Sequence, residues 1–275
     1  MPYLAILRPF NLIFVSLTIL FGALFRNSIP FNFRILFAIL SASLIAAAGY
    51  VINDFFDRQI DRVNRPQRMI PSGQISPKAA YLYAILLFIT GIILSYFTIN
   101  IFCILLAFSN SVILYLYAIK FKKTLIIGNL IVSYSAASCF IYGGLSAGNL
   151  TNIIPIALFA FLFTLIREIV KDAEDITGDK KFSVNSIAIK LGKKVALVIS
   201  LILSLGITLL FGYLKYLNYL SLTTFILSLL LITLPLTLIL IYLYSNIDSK
   251  TAFSKSSSLL KLDMLILLII FLIGN

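Results

Sequence analysis

The sequence predicts an all-α, polytopic membrane protein, and three observations carry that prediction. Of the 275 residues, 61% are hydrophobic, and the mean hydropathy is +1.06, which leaves too little polar surface for a soluble globule. Apolar runs of roughly 17–25 residues, each able to cross a hydrocarbon core of about 30 Å, recur from end to end. Basic residues gather almost entirely in alternate connections between those runs, as they do in membrane proteins of defined orientation.

Nine runs are read, at 6–25, 33–52, 79–97, 100–118, 124–144, 152–168, 194–214, 219–244 and 259–274. The sixth and ninth are short. Because the runs repeat to the C-terminal end, the first is expected to be a membrane helix and not a cleaved signal peptide. Two connections are long, 53–78 and 169–193. The others are short, apart from a Ser/Lys-rich turn at 245–258. Hardly any residues remain for a soluble domain, so residues 1–275 are expected to form a single transmembrane domain.

The net charge of +12 would suggest nucleic acid in a soluble protein, but here topology explains it and no nucleic-acid partner is expected. Of the 22 Lys and Arg, all but Arg26, Arg34 and Lys215 fall on the side of the N-terminus and the two long connections. By the positive-inside rule that side is cytoplasmic and the C-terminus lies outside. All ten Asp and Glu also fall on the cytoplasmic side, which the rule does not require. Cys103 and Cys139 lie in apolar runs without metal-type spacing and read as small buried hydrophobes. The chain has no histidine, which excludes His-based acid–base catalysis and His metal ligands.

The acids form a pattern. Asp54, Asp57 and Asp61 open the first long connection; Asp172, Asp175 and Asp179 open the second with the same spacing. Positions i, i+3 and i+7 of an α-helix fall within an arc of about 60° and span roughly 10 Å, so each triplet is one acidic stripe. Glu168 extends the second stripe by a turn, whereas Glu174 points away. The equivalent placement, after runs two and six, suggests an internal duplication with halves near 33–144 and 152–274. Acids this concentrated stay ionised only beside cations. Oxygen ligands without His or Cys suit Mg²⁺ or Ca²⁺, and Mg²⁺ shares its shell readily with phosphate oxygens. A diphosphate is the natural third party.

Basic residues lie close by. Arg62, Arg65 and Arg68 follow the first triplet, Lys171 directly precedes the second, inside the stripe as extended to Glu168, and Lys120, Lys122 and Lys123 crowd the connection between runs four and five. Arg65, Arg68, Lys120 and Lys171 are candidates for the diphosphate. Asn53 is a candidate uncharged ligand. The plainer readings are helix-end solvation for the acids, topology charge for the bases and a helix cap for Asn53. Two triplets of identical spacing favour function over solvation.

The motif N-D-x-x-D-x-x-x-D (Asn53 to Asp61) with R-P-x-R (Arg65 to Arg68), and then D-x-x-D-x-x-x-D (Asp172 to Asp179), resembles the UbiA superfamily of intramembrane prenyltransferases. RPFN at Arg8 to Asn11, YLYAIK ending at Lys120, and REIVKDAEDITGD extend the resemblance over nearly the whole chain. It implies nine helices around a central cavity, cytoplasmic cap loops carrying the acids, and Mg²⁺-dependent transfer of a prenyl group from its diphosphate. All six aspartates are then expected to act through the metal.

VNRPQRMIPSG and REIVKDAEDITGD are most similar to the archaeal-lipid branch. Its reaction joins geranylgeranyl diphosphate to the hydroxyl of geranylgeranylglyceryl phosphate, making the second ether bond of the lipid. Met69 departs from that branch, which usually has proline there. The implied partners are a prenyl diphosphate, a lipid-like acceptor and membrane lipids, with no obligatory protein partner. Arg8 and Asn11 are candidate contacts for the acceptor's phosphate. Branches with aromatic acceptors, such as 4-hydroxybenzoate or the menaquinone precursor, share both acid motifs and remain an alternative. A cation transporter is the rival from another class. Its acids would lie in mid-span without an adjoining Arg cluster.

Overall fold

In lipid, each backbone N–H and C=O must be satisfied within its own segment, so apolar runs of this length become helices. The computed structural model describes residues 1–26, 30–179 and 185–273, with the side chains of 177–179, 261, 262, 264, 265, 272 and 273 outside the description. Among the described residues every regular element is helical.

A short α1 (Pro2–Ala5) precedes α2 (Pro9–Leu24), α3 (Phe33–Asn64), α4 (Pro77–Ser95), α5 (Ile101–Ile119), α6 (Ile127–Ser146) and α7 (Leu150–Asp179). A short α8 (Ile187–Lys190) leads to α9 (Lys193–Tyr216), α10 (Leu222–Ser228), α11 (Leu234–Ser245) and α12 (Lys250–Ile273). Asn32, Ser76, Asn100 and Ser221 cap the starts of α3, α4, α5 and α10 through side-chain oxygens. Prolines 2, 9 and 77 occupy first turns, where no donor is lost. α10 and α11 form one apolar stretch with a π-helical turn at Leu229–Thr233. Pro235 stands two positions beyond it; without an N–H it cannot close the regular ladder, and the preceding turn widens.

Six helical stretches are long and apolar enough to cross a membrane by themselves: Phe33–Asn64, Pro77–Thr98, Ile101–Ile119, Leu150–Ile176, Lys193–Tyr216 and Leu222–Ser245. The chain is thus an all-helical integral membrane protein. The runs expected at 6–25, 124–144 and 259–274 correspond to α2, α6 and α12, which differ in kind. α2 is only 16 residues long, α6 is diluted by Ser, Gly and Tyr, and α12 starts earlier, with a Lys- and Ser-rich first half.

The chain divides into two compact units, residues 1–122 with 138–154 and residues 123–137 with 155–275. In the first, α3 packs against α2, α4 and α5. Small residues of α3, Ala38, Ala47 and Ala48, share one buried core with Ala80 and Ala84 of α4 and Cys103 and Ala107 of α5. α2 and the adjoining part of α6 approach still more closely. A Cβ on Gly22 would collide with the Phe140 carbonyl, and one on Gly143 with that of Ile19. Ser41 meets the Tyr142 hydroxyl at 2.8 Å and donates to the Gly91 carbonyl at 2.7 Å. In the second unit Phe159 stacks on Phe163 and Phe211, each at 5.5 Å between ring centres.

The acids lie on helix, as their spacing required, and not on the cap loops that the resemblance implied: the connections beginning at 53 and 169 open as continuations of the spanning helices, α3 running on to Asn64 and α7 to Asp179. At 1.5 Å per residue the 32-residue α3 is about 48 Å long, well beyond the hydrocarbon thickness. Both triplets ride on these helical extensions.

Candidate active site

A continuous helix holds Asp54, Asp57 and Asp61 on one face. All three are buried, with 6%, 9% and 5% of their surface exposed. Buried carboxylates need partners, and basic residues from three other segments supply them. Arg8 donates to Asp54 Oδ1 at 2.6 Å. Arg68 reaches the same oxygen at 2.9 Å and Asp61 Oδ2 at 2.7 Å. Lys122 pairs with Asp57 Oδ1. A single terminal nitrogen, Arg68 Nη1, therefore bridges two acids seven residues apart through its two hydrogens.

The chain after α3 explains how Arg68 gets there. The N–H of Arg68 donates to the Arg65 carbonyl at 3.0 Å, Ser72 N–H to Arg68, and Ile75 N–H to Met69. Gly73 turns the chain at φ 78°, a conformation open to glycine. Ile70 and Ile75 are buried in the core of the first unit, and these two anchors fold the loop back toward the end of α3.

Arg8 is placed by a different device. It has a left-handed backbone (φ 56°, ψ 64°) at the start of α2. Its guanidinium lies over the Tyr50 ring, 5.0 Å from the centre, and the Asn11 side chain lies beside that tyrosine. Asn53 donates its amide to Asp57 Oδ2 at 2.9 Å. Since a carboxylate only accepts, this fixes the amide orientation. Asn53 Oδ1 is left buried without a partner.

The second stripe is built differently. Glu168 is buried and pairs with Arg167 at 3.1 Å. Asp172 accepts from Asn129 at 2.8 Å, and Asp175 is exposed. The side chain of Asp179 lies outside the described residues. Arg167 Nε is buried and unpaired.

Among the other expected contacts, Arg65 and Lys120 terminate α3 and α5 with exposed side chains. They take no part in the ion pairs around the first stripe. Lys171 lies 3.7 Å from Glu168, one turn back on its own helix. Lys122, Tyr50, Asn129 and Arg167 were not singled out as site residues. Lys122 stands two positions beyond Lys120 in one basic cluster, and the sequence gives no means of choosing between them. Arg167 precedes Glu168 directly and opens the REIVKDAEDITGD segment, whose similarity to the family was the signal that could have found it.

Among the described residues no three acids or thiols are gathered closely enough to hold a metal ion by themselves. The donor set is nonetheless one of hard oxygens, and the orphaned Asn53 oxygen lies beside it. That suits a cation which completes its shell with water or phosphate.

Comparison with known proteins converges on one family. The sequence pattern of the UbiA prenyltransferase family matches residues 15–268. Digeranylgeranylglyceryl phosphate synthase of Methanococcus aeolicus is 38% identical, over 99% of this chain and 97% of that protein. The synthase of the same name from Sulfolobus acidocaldarius is 36% identical, again over 99% and 97%. A solved structure of a digeranylgeranylglyceryl phosphate synthase superposes with a TM-score of 0.87 at 35% identity, covering 99% of this chain and 97% of the other. A UbiA homologue from Archaeoglobus fulgidus, solved with DMAPP and Mg²⁺, shares the fold at a TM-score of 0.71 and 21% identity, over 97% and 99%. The chain belongs to the UbiA prenyltransferase family.

Proposed function

We propose that this chain transfers a geranylgeranyl group from geranylgeranyl diphosphate to the hydroxyl of geranylgeranylglyceryl phosphate, forming the second ether bond of an archaeal-type membrane lipid. The observation that carries the reading is full-length similarity, at 34–38% identity, to synthases named for that product. The buried stripe of Asp54, Asp57 and Asp61, ringed by basic side chains, supports it.

The carboxylates of each triplet, and at the first the Asn53 oxygen, would hold Mg²⁺ directly or through water. When bound, Mg²⁺ supplies Lewis-acid neutralisation of the departing diphosphate. Arg68 and Lys122 now rest on the acids; a diphosphate offers the same cations oxygens of higher charge. Arg65, Lys120 and Lys171, on exposed positions, would join them when substrate arrives. Arg8, with Asn11 behind it through Tyr50, would contact the acceptor's phosphate. The apolar helices exclude water from the allylic carbon, so the acceptor hydroxyl is the nucleophile that reaches it.

The same reading takes residues 1–275 as one duplicated domain of nine transmembrane helices around a central cavity, with the acid-bearing ends as its cytoplasmic cap. It places the protein in the cell membrane, N-terminus inside and C-terminus outside.

The test is turnover by the purified protein with geranylgeranyl diphosphate, geranylgeranylglyceryl phosphate and Mg²⁺. Ether product should form, stop on chelation and return with added Mg²⁺. Transfer to 4-hydroxybenzoate with none to the glyceryl phosphate would overturn the acceptor assignment. Asp57→Ala and Asp175→Ala should each abolish turnover in protein that still folds; near-normal rates would remove these residues from the metal site.

A further inference from the structure

At the end of the first unit opposite the acid stripe, the chain between α4 and α5 folds around a trough of about 460 Å³. That volume is in the range of small-molecule pockets, roughly 300–1,000 Å³. Phe33, Tyr96, Phe97, Ile99, Ile101 and Ile104 line it. The walls are held at a cost. Ile99 has a left-handed backbone, φ 54° and ψ 35°, which a β-branched residue adopts only under compulsion.

The compulsion comes from the hydrogen bonds around it. Thr98 Oγ1 donates to the Ser95 carbonyl at 2.7 Å, and Ile99 N–H donates to Tyr96 at 3.1 Å. Asn100 is pinned at both ends, donating to the Leu145 carbonyl at 2.8 Å and accepting from Phe102 N–H at 2.9 Å. Backbone strain maintained by its surroundings points to a use for the shape it creates.

The charge beside the trough points to what fills it. Arg34 follows Phe33, is exposed, and holds its guanidinium 6.0 Å from that ring's centre. The first unit contains only three acids, Asp54, Asp57 and Asp61. The nearest of them lies 20 residues further along the same helix, about 30 Å away at 1.5 Å per residue. No carboxylate of this unit can neutralise Arg34. The trough opens among exposed apolar side chains such as Phe102 and Leu105 on helices that cross the membrane, so hydrocarbon is what reaches it. Tyr96, 70% exposed, is the kind of residue that sits at a membrane–water boundary.

We propose that this trough is a binding site for one anionic phospholipid, with one hydrocarbon chain in the trough and the lipid phosphate on Arg34. The site is separate from the acid stripe and would fix the depth of the first unit in the opposite leaflet.

The test uses the full-length protein in phosphatidylcholine vesicles containing a trace of phosphatidylglycerol with a photoactivatable group in one chain. Cross-links are mapped by mass spectrometry. The expected result is labelling concentrated on Tyr96–Ile104. It should fall about fivefold in Arg34→Gln, the usual worth of one basic residue at an anionic surface. A phosphatidylcholine probe with the same chains should label the wild type only at that lower level. Ile104→Trp, which fills the trough and keeps Arg34, should reduce labelling of the segment by either probe. Equal labelling by both headgroups would overturn the preference for an anionic lipid, since phosphatidylcholine carries the same phosphate beside a cation, and no change in Arg34→Gln would overturn the phosphate seat. Labelling no denser than on the other lipid-facing helices would overturn the trough. Arg34 is exposed and remote from the acids, so unchanged prenyl transfer confirms that the variant is folded.

Discussion

Arg68 and Arg65 differ by three positions and by everything that matters to a charge. Arg68 is returned by its loop to bridge Asp54 and Asp61, with 19% of its side chain exposed; Arg65 closes α3 and faces outward. An arginine already desolvated beside the acids is placed to take diphosphate oxygens, whereas an exposed one is screened by solvent. Arg68→Ala should therefore lower kcat/KM by about 10²-fold, the scale of losing one preorganised charge-stabilising donor. Arg65→Ala should change it by about threefold or less, as an exposed charge does. Steady-state kinetics of the two variants decides this, and equal losses would contradict the distinction. Arg8 has a third character: its left-handed backbone costs about 1–3 kcal/mol, offset by the Asp54 ion pair and the Tyr50 ring.

At the scale of the element, α3 performs two tasks with one periodicity. Its first half buries alanines and isoleucines; its last turns continue the same face with Asp54, Asp57 and Asp61. Extending the helix beyond the lipid places charge on a rigid support, which keeps the three carboxylates in register. The contact of α2 with α6 depends instead on missing side chains. Gly143→Ala would drive a Cβ into the Ile19 carbonyl, and Gly22→Ala would do the same at Phe140. Each should destabilise the protein by about 1–3 kcal/mol, the usual cost of overpacking. Thermal unfolding in detergent measures this, and an unchanged midpoint for Gly143→Ala would mean that the helices can separate freely there.

For the whole molecule, orientation is the first property to test. In a variant lacking Cys103 and Cys139, a cysteine at Ser72 should react with a membrane-impermeant thiol reagent only from the cytoplasmic side. One at Asn218 should react only from outside. Labelling of both from one side would refute the topology argued from Arg and Lys.

The class of fold and the identity of the acids were legible in the sequence, because hydropathy needs only composition and a stripe needs only helical spacing. Asn53 to Asp61 and Asp172 to Asp179 could be read as two faces without any coordinates. The spacing placed these acids on a helix, but it did not show that the helix is the spanning one continued to Asn64, nor that its acidic face is buried against Arg8, Arg68 and Lys122. Which cation serves which acid was also beyond reach. Lys120 and Lys122 are equivalent by composition, and Arg65 and Arg68 by motif. The sequence by itself therefore determined that this is a helical membrane protein with two acid stripes of the same spacing. Tertiary structure alone decided the partners of those acids and the strained trough beside Arg34, because ion pairing depends on where loops return in space, and spacing along the chain does not record that.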